Sequence, residues 1–283
     1  MDAQARQQQA LQQQVRKAEA FKALHERPGI FVIPNPWDAG SAKMLASLGY
    51  AALATTSAGY AFSQGRADGG LGLEDTLANV RAIVTASELP VAVDLENGFA
   101  DAPAESALSL IRAAEAGAVG GSIEDATGRA DAPIYCFDHA VARIEAAVAA
   151  VRTLPFPFIL TARAENYLHG NPDLDDTIRR LQAFAEAGAD VLYAPGLRNA
   201  EEVLAVVRAV APKPVNVLMS GGLKLTVQQL EEMGVKRIST GSALALAAYG
   251  EFFRAAEEIQ QSGTFAFTGH SMPYAKANAF FKT

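Results

Sequence analysis

Asp94 and Glu96 stand two residues apart at the end of the apolar run Val91-Ala92-Val93, with Gly98 close behind. If the strand ran through Glu96, its period of two would place both carboxylates on one side. Two acids held together repel each other unless a cation lies between them. A second acidic pair, Glu124-Asp125, ends the run Val119-Gly120-Gly121-Ser122-Ile123. Either pair alone could simply be the solvated end of a strand. Arg163 follows the apolar run Phe158-Ile159-Leu160, where a guanidinium can grip a carboxylate through two parallel bonds or form an ion pair with a neighbouring acid. Thr56-Ser57-Ala58-Gly59 is a small-residue turn able to aim backbone N–H groups at an oxyanion, or a plain tight turn. The hard oxygens of Asp94, Glu96 and Glu124, with no cysteine or histidine cluster, favour Mg²⁺ or Mn²⁺ over zinc.

Such groups need a scaffold that brings distant segments to one place. After Gly29 the chain alternates strand-like and helix-like stretches. Strands are expected at 31–34, 51–55, 90–94, 119–124, 157–162, 191–194, 214–217 and 237–240, with helices between them, such as 104–116, 139–153 and 174–187. Gly49, Gly117, Gly188 and Gly234 each stand where a helix would close before the next strand. Regular alternation implies a parallel sheet, and eight strands without a composition break imply a (β/α)8 TIM barrel. A dinucleotide fold would place Gly-x-Gly-x-x-Gly after its first strand; Asn35-Pro36-Trp37-Asp38 stands there instead. In a barrel the strand ends form the active-site mouth, and here they read Asn35, Thr56-Ser57, Asp94 with Glu96, Glu124-Asp125, Arg163, Tyr193, Asn216 and Ser239-Thr240. All are polar, the pattern of a ligand site.

The organisation predicted is an N-terminal helical extension over 1–28, a barrel catalytic domain over 29–260 and a C-terminal arm over 261–283. Residues 2–26, rich in Gln and Ala, read as a surface helix. With 50% hydrophobic residues, 19% charged and a net charge of −7, the chain suits a soluble protein with a substantial core and argues against nucleic acid as partner. A lone cysteine, Cys136, cannot form an internal disulfide, which fits a reducing cytoplasm. No secretory signal or membrane-spanning apolar run is visible. His25, His139 and His270 read as structural or solvated, as does His169, which follows the Arg163 strand.

The chain resembles the isocitrate lyase/phosphoenolpyruvate mutase superfamily over roughly 25–260. The resemblance rests, in order, on Pro34-Asn35-Pro36-Trp37-Asp38-Ala39, Thr56-Ser57-Ala58-Gly59, Gly65-Arg66-Ala67-Asp68, Asp94-Leu95-Glu96-Asn97-Gly98, Ile123-Glu124-Asp125, Ala162-Arg163 and Asn216. It implies a Mg²⁺ site binding a small anionic 2-oxo acid or its enolate, hence a lyase that cleaves a C–C bond in a 2-oxo or 2-hydroxy acid. Asp94 resembles the direct metal ligand; Glu96, Glu124 and Asp68 resemble the acids that hold the metal and its waters. Thr56, Ser57, Ala58, Arg163 and Asn216 match the substrate-binding set, and Arg163, Asp68 and Glu124 are the candidate catalytic residues. The resemblance also implies a homotetramer exchanging a C-terminal helix, for which the tail after Gly263 is the candidate; the same tail could pack on its own barrel.

Two departures stand out. The Lys-Lys/Arg-Cys-Gly-His loop of isocitrate and methylisocitrate lyases is replaced by residues 126–135, which contain no cysteine, and Pro195 stands where those lyases have glutamate. The lysine, threonine and asparagine loop of the mutases and phosphonopyruvate hydrolases is missing too, so no general acid is identified. Carbon–phosphorus chemistry on phosphonopyruvate and a non-catalytic 2-oxo acid binding protein are the alternative readings.

Overall fold

Short apolar runs closed by turns give strands too short to stand alone, so they must be paired on both sides. The computed structural model, which describes residues 3–282, shows how. Eight strands, β1 (Phe31–Ile33), β2 (Leu53–Ala54), β3 (Val91–Asp94), β4 (Gly120–Glu124), β5 (Ile159–Arg163), β6 (Val191–Tyr193), β7 (Val215–Leu218) and β8 (Arg237–Ser239), form one parallel sheet. Its order is β1-β8-β7-β6-β5-β4-β3-β2. The remaining gap, between β1 and β2, is bridged where the Ala54 N–H donates to Pro34 O at 3.1 Å. The chain is thus a (β/α)8 barrel. Each expected strand is present with its ends moved by one or two residues.

Helices α1 (Ala3–Glu26), α2 (Ala39–Ser47), α3 (Ser57–Ser63), α4 (Leu73–Ala86), α5 (Pro103–Glu115), α6 (Phe137–Val151), α7 (Leu174–Ala187), α8 (Ala200–Ala209), α9 (Val227–Glu232), α10 (Ala243–Ser262) and α11 (Tyr274–Phe281) complete the chain. Gly188 ends α7 with φ 107°, a left-handed conformation that leaves its N–H on the carbonyls of the last turn. Gly49, Gly117 and Gly234 have positive φ at the equivalent junctions.

Helix α1 does more than cover the surface. Ala18, Phe21, Leu24 and His25 are buried. The Phe21 ring fills the space beside β4: a Cβ on Gly120 would lie 2.7 Å from its Cε1. Gln14 donates to the carbonyls of Ala114 and Ala118, which close the preceding helix and lead into the strand. The second half of α1 therefore plugs the end of the barrel opposite the mouth. At the other terminus, α10 buries only Ala245 and leaves Leu246, Phe252 and Phe253 exposed, Phe252 by 71%. Helix α11 has no buried residue and touches α2 of its own chain, where the Phe281 ring approaches Gly40. Among the described residues no helix is long and apolar enough to cross a membrane.

Candidate active site

Three strands end on charged residues that meet at the mouth: β3 on Asp94, β4 on Glu124 and β5 on Arg163. Register sets Glu124 beside Arg163 and Arg163 beside Tyr193. The Arg163 guanidinium is surrounded by carboxylates. Its Nη1 lies 2.7 Å from Asp94 Oδ1, its Nη2 2.9 Å from Glu124 Oε2 and its Nε 2.8 Å from Glu165 Oε1. The Tyr193 ring flanks it at 5.3 Å. Burial opposes the arginine's charge, but the carboxylates of Glu165, Glu124 and Asp94 outweigh it and raise its pKa further. Both readings of Arg163 thus meet at one atom group: it is an ion-pair hub, and it faces the cavity.

Asp94 is the other centre. Its Oδ2 accepts from the Ser57 hydroxyl at 2.9 Å and from the Ser57 N–H at 3.3 Å. Ser57 Oγ also lies 3.4 Å from Asp68 Oδ1. The 56–59 segment is not a free turn. Thr56 caps α3 by accepting from the Gly59 N–H, and Ser57 opens that helix. Of the amides expected to face an oxyanion, the Ser57 N–H points at Asp94. The Ala58 N–H sits in the first turn of α3, where no intrahelical acceptor exists.

The expected common side for Asp94 and Glu96 does not form, because β3 stops at Asp94. Glu96 lies in the following turn with φ 49°, a conformation rare for a side-chain-bearing residue and frequent at functional sites. The two acids are still coupled: burial, then the charges of Asp94 and Asp68, push Glu96 up to about 7. Asp68 is raised by partial loss of water and by Asp94. Burial likewise raises Glu124, against the pull of Arg163. Asp125, the second half of its pair, turns outward: it accepts from the Glu165 N–H at 2.8 Å and pairs with Arg180 at 3.1 Å.

Thr56, Ser57, Ala58, Asp68, Asp94, Arg163 and Asn216 line one cavity of about 220 Å³; Glu96 and Glu124 are outside its lining, Glu96 donating its N–H to Asp94 Oδ1 at 3.3 Å and Glu124 pairing with Arg163. The trio Asp94, Glu96 and Glu124 does not converge, since Glu124 is held by Arg163 and Glu96 by its turn. Among the described residues no group of three or more His, Cys, Asp and Glu side chains has ligand geometry. A Mg²⁺ ion needs no such group: it keeps several waters and takes one or two protein carboxylates. Asp68 and Glu96, both raised by burial and by the charge of Asp94, mark a surplus of negative charge that a divalent cation would relieve, so the donor set fits one.

Two contributors escaped the sequence reading. Glu165, buried, holds Arg163, and the available signal was its position two residues beyond that arginine. Arg237, also buried, donates through Nε to Asn216 Oδ1 at 2.8 Å, while Asn216 Nδ2 donates to Ser239 Oγ at 2.9 Å. Residues 126–135 fold back on themselves: Ala126 bridges Ile134, and Arg129 and Tyr135 both bond Asp101. Exposed Cys136 precedes α6, and exposed His169 stays outside the cavity lining.

The model of the phosphoenolpyruvate phosphomutase family matches residues 21–260. The chain is 30% identical to 2-methylisocitrate lyase of Escherichia coli (strain K12) over 264 residues, 87% of this chain and 85% of that one. It is 32% identical to oxaloacetate decarboxylase of Paraburkholderia xenovorans (strain LB400) over 213 residues, 71% of this chain and 67% of that one. Among solved structures, a Burkholderia cenocepacia J2315 protein named only as a lyase/mutase superposes with a TM-score of 0.93 at 59% identity, covering 96% of this chain and 98% of that one. A 2,3-dimethylmalate lyase superposes with a TM-score of 0.83 at 26% identity, covering 93% and 94%.

Proposed function

Because the chain belongs to the phosphoenolpyruvate mutase family and is an enzyme of its lyase type, we propose that it cleaves a C–C bond in a small 2-oxo or 2-hydroxy carboxylic acid through a pyruvate-like enolate, with Mg²⁺ as cofactor. The observation that carries this reading is the Asp94–Arg163 pair set in a ring of acids beside Ser57. Asp94 would hold the metal, with Asp68 and Glu96 on its waters; bound there, Mg²⁺ supplies positive charge for the oxygens of the 2-oxo acid. Arg163 stabilises negative charge on the substrate and is kept in place by Glu124 and Glu165 while Asp94 turns to its ligand. The Ser57 hydroxyl and the Ala58 N–H bind an oxygen of the acid, and Asn216 orients it from β7. The bonds that anchor Ser57, Arg163 and Asn216 keep these groups directed before substrate arrives, the main source of their effect on rate.

The same reading makes the protein a cytoplasmic homo-oligomer, a tetramer in which the C-terminal arm exchanges between copies. The exposed apolar residues of α10 and the unburied α11 support it.

The test is pyruvate release, with and without Mg²⁺, from oxaloacetate, 2-methylisocitrate, 2-alkylmalates and phosphonopyruvate. Metal-dependent pyruvate from a C–C substrate is the expected result. Phosphoenolpyruvate or phosphate from phosphonopyruvate, with no C–C cleavage, would replace it with carbon–phosphorus chemistry. Thermal stabilisation by these acids without turnover would point to binding alone.

A further inference from the structure

Arg237 opens β8 at the inner end of the cavity, 6% exposed. Its partners are all neutral: Asn216 Oδ1 at 2.8 Å, Thr161 Oγ1 at 2.9 Å and His25 Nε2 at 3.3 Å. His25 is neutral because burial and the Arg237 charge push its pKa down to about 3. Burial lowers Arg237 itself to about 10, and Tyr193 is the lone group opposing that fall. No carboxylate among the described residues answers this charge, in contrast to Arg163 above it. A buried cation without a counter-charge is costly, and the barrel keeps one.

The donor inventory points the same way. A guanidinium has five N–H groups. One is used at Nε, one at Nη1 and one at Nη2, which leaves one on each terminal nitrogen. Thr161, buried, accepts from Arg237, so its own O–H proton points elsewhere, and it finds no acceptor among the described side-chain bonds. The small side chains of Ala54 and Ala92 line the same cavity as Arg237 and Thr161. Water could satisfy the donors but not the charge; an anion satisfies both.

We propose that Arg237 and Thr161 form an inner anion subsite at the floor of the cavity, separate from the Arg163 mouth, that binds one small monovalent anion, either a halide or the carboxylate of an organic acid. This subsite stands on the Arg237 surroundings alone and does not depend on the lyase reading. With an anion in place, Arg237 is neutralised and its Nε keeps the Asn216 amide in one orientation toward the mouth. The carboxylate case would extend the acid-binding cavity inward; the halide case would make the ion a fixed part of the barrel.

The test uses the full-length protein in sodium bromide. Anomalous diffraction is expected to give a bromide peak within hydrogen-bond reach of the Arg237 terminal nitrogens and Thr161 Oγ1. Thermal unfolding at constant ionic strength, bromide against methanesulfonate, should show a saturable bromide-specific stabilisation of the wild type. Thr161→Val should weaken bromide about tenfold, the effect of losing one hydrogen bond to a charged group. Arg237→Met should abolish the effect. If Arg237→Met does not fold, Thr161→Val and the diffraction data decide. Adding oxalate or pyruvate separates the sources: displacement of bromide identifies a carboxylate subsite, and retention identifies an inorganic ion. Absence of a bromide peak at Arg237, with equal unfolding in both salts, overturns the proposal.

Discussion

Arg163 Nη1 and Asp94 Oδ1 lie 2.7 Å apart across the mouth of the barrel, from strands that are not neighbours in the sheet. The cation that would stabilise a substrate and the anion that would hold its metal are therefore direct partners. Each is also held separately: Arg163 by Glu124 and Glu165, Asp94 by Ser57 and by a bond from its own N–H to Thr55 Oγ1. Such a pair can open toward a metal and an acid without either side chain losing its position, because most of its anchoring lies on the far side.

This arrangement makes a separable prediction for Asp94→Asn. The amide keeps the shape and can still accept from Ser57, but it carries no charge for a cation. Metal-dependent turnover should fall at least about a hundredfold, the scale of losing a principal electrostatic group. The unfolding temperature should change little, since two carboxylates still neutralise Arg163. Turnover measured across a Mg²⁺ titration checks both parts; unaltered Mg²⁺ dependence would remove Asp94 from the metal site.

Glu165 offers a contrasting case. It is 2% exposed, it bonds Arg163 Nε at 2.8 Å, and its own N–H is anchored on Asp125. It acts through Arg163 rather than on substrate, so Glu165→Gln should lower kcat by about tenfold with a smaller change in KM for the acid, while keeping the fold. Glu165→Ala should also cost roughly 2–4 kcal/mol of stability, because a buried guanidinium loses a partner. Steady-state kinetics and urea titrations of the two variants distinguish positioning from packing.

The barrel was legible because helix-closing glycines and short apolar runs recur along the chain, and both are local signals. The mouth was legible because strand ends in a barrel must converge, which turned Asp94, Glu124 and Arg163 into neighbours before any distance was known. Glu96 was misplaced because sequence alone does not show where a strand stops, and a left-handed residue breaks the period of two. Glu165 and Arg237 escaped for a different reason. Glu165 follows the end of β5 and reads as a solvated strand end although Arg163 stands two residues before it, and Arg237 reads as a strand edge because its partners, Asn216, Thr161 and His25, lie on β7, β5 and α1. The buried half of α1 was hidden by its composition, since only Ala18, Phe21, Leu24 and His25 reach the core.

His25 links that hidden contact to pH. Its folded pKa of about 3 lies below the ordinary 6.5 of the unfolded chain. The unfolded state thus takes up a proton first as pH falls, and the stability of the fold declines below about pH 6.5, by about 1.4 kcal/mol per pH unit until the folded pKa is reached. The loss is complete only near the folded value. Raised carboxylates such as Glu124 bias stability in the opposite sense, so the comparison must be differential. Wild type and His25→Asn, unfolded in urea at pH 7 and pH 5, should differ less at pH 5, by roughly 2 kcal/mol. An unchanged gap between the two would mean that His25 is protonated, or exposed, in the fold.

The outer face of α10 is apolar. Leu246, Phe252 and Phe253 expose 52%, 71% and 62% of their surfaces on a helix that buries one residue. Large apolar side chains exposed at that density are what an interface between copies, as proposed above, would cover. If copies of the chain meet there and trade their C-terminal arms, a charge at the centre should prevent assembly while leaving the barrel intact, because none of these side chains contributes to the core. Phe252→Glu should therefore convert the oligomer to a smaller species in light scattering, with little change in the barrel's circular dichroism. Deleting residues 264–283 should weaken association without abolishing it, since α10 remains. A wild-type chain that is monomeric at micromolar concentration would remove both the tetramer and the exchange. An oligomer indifferent to Phe252→Glu would place the interface elsewhere on the barrel.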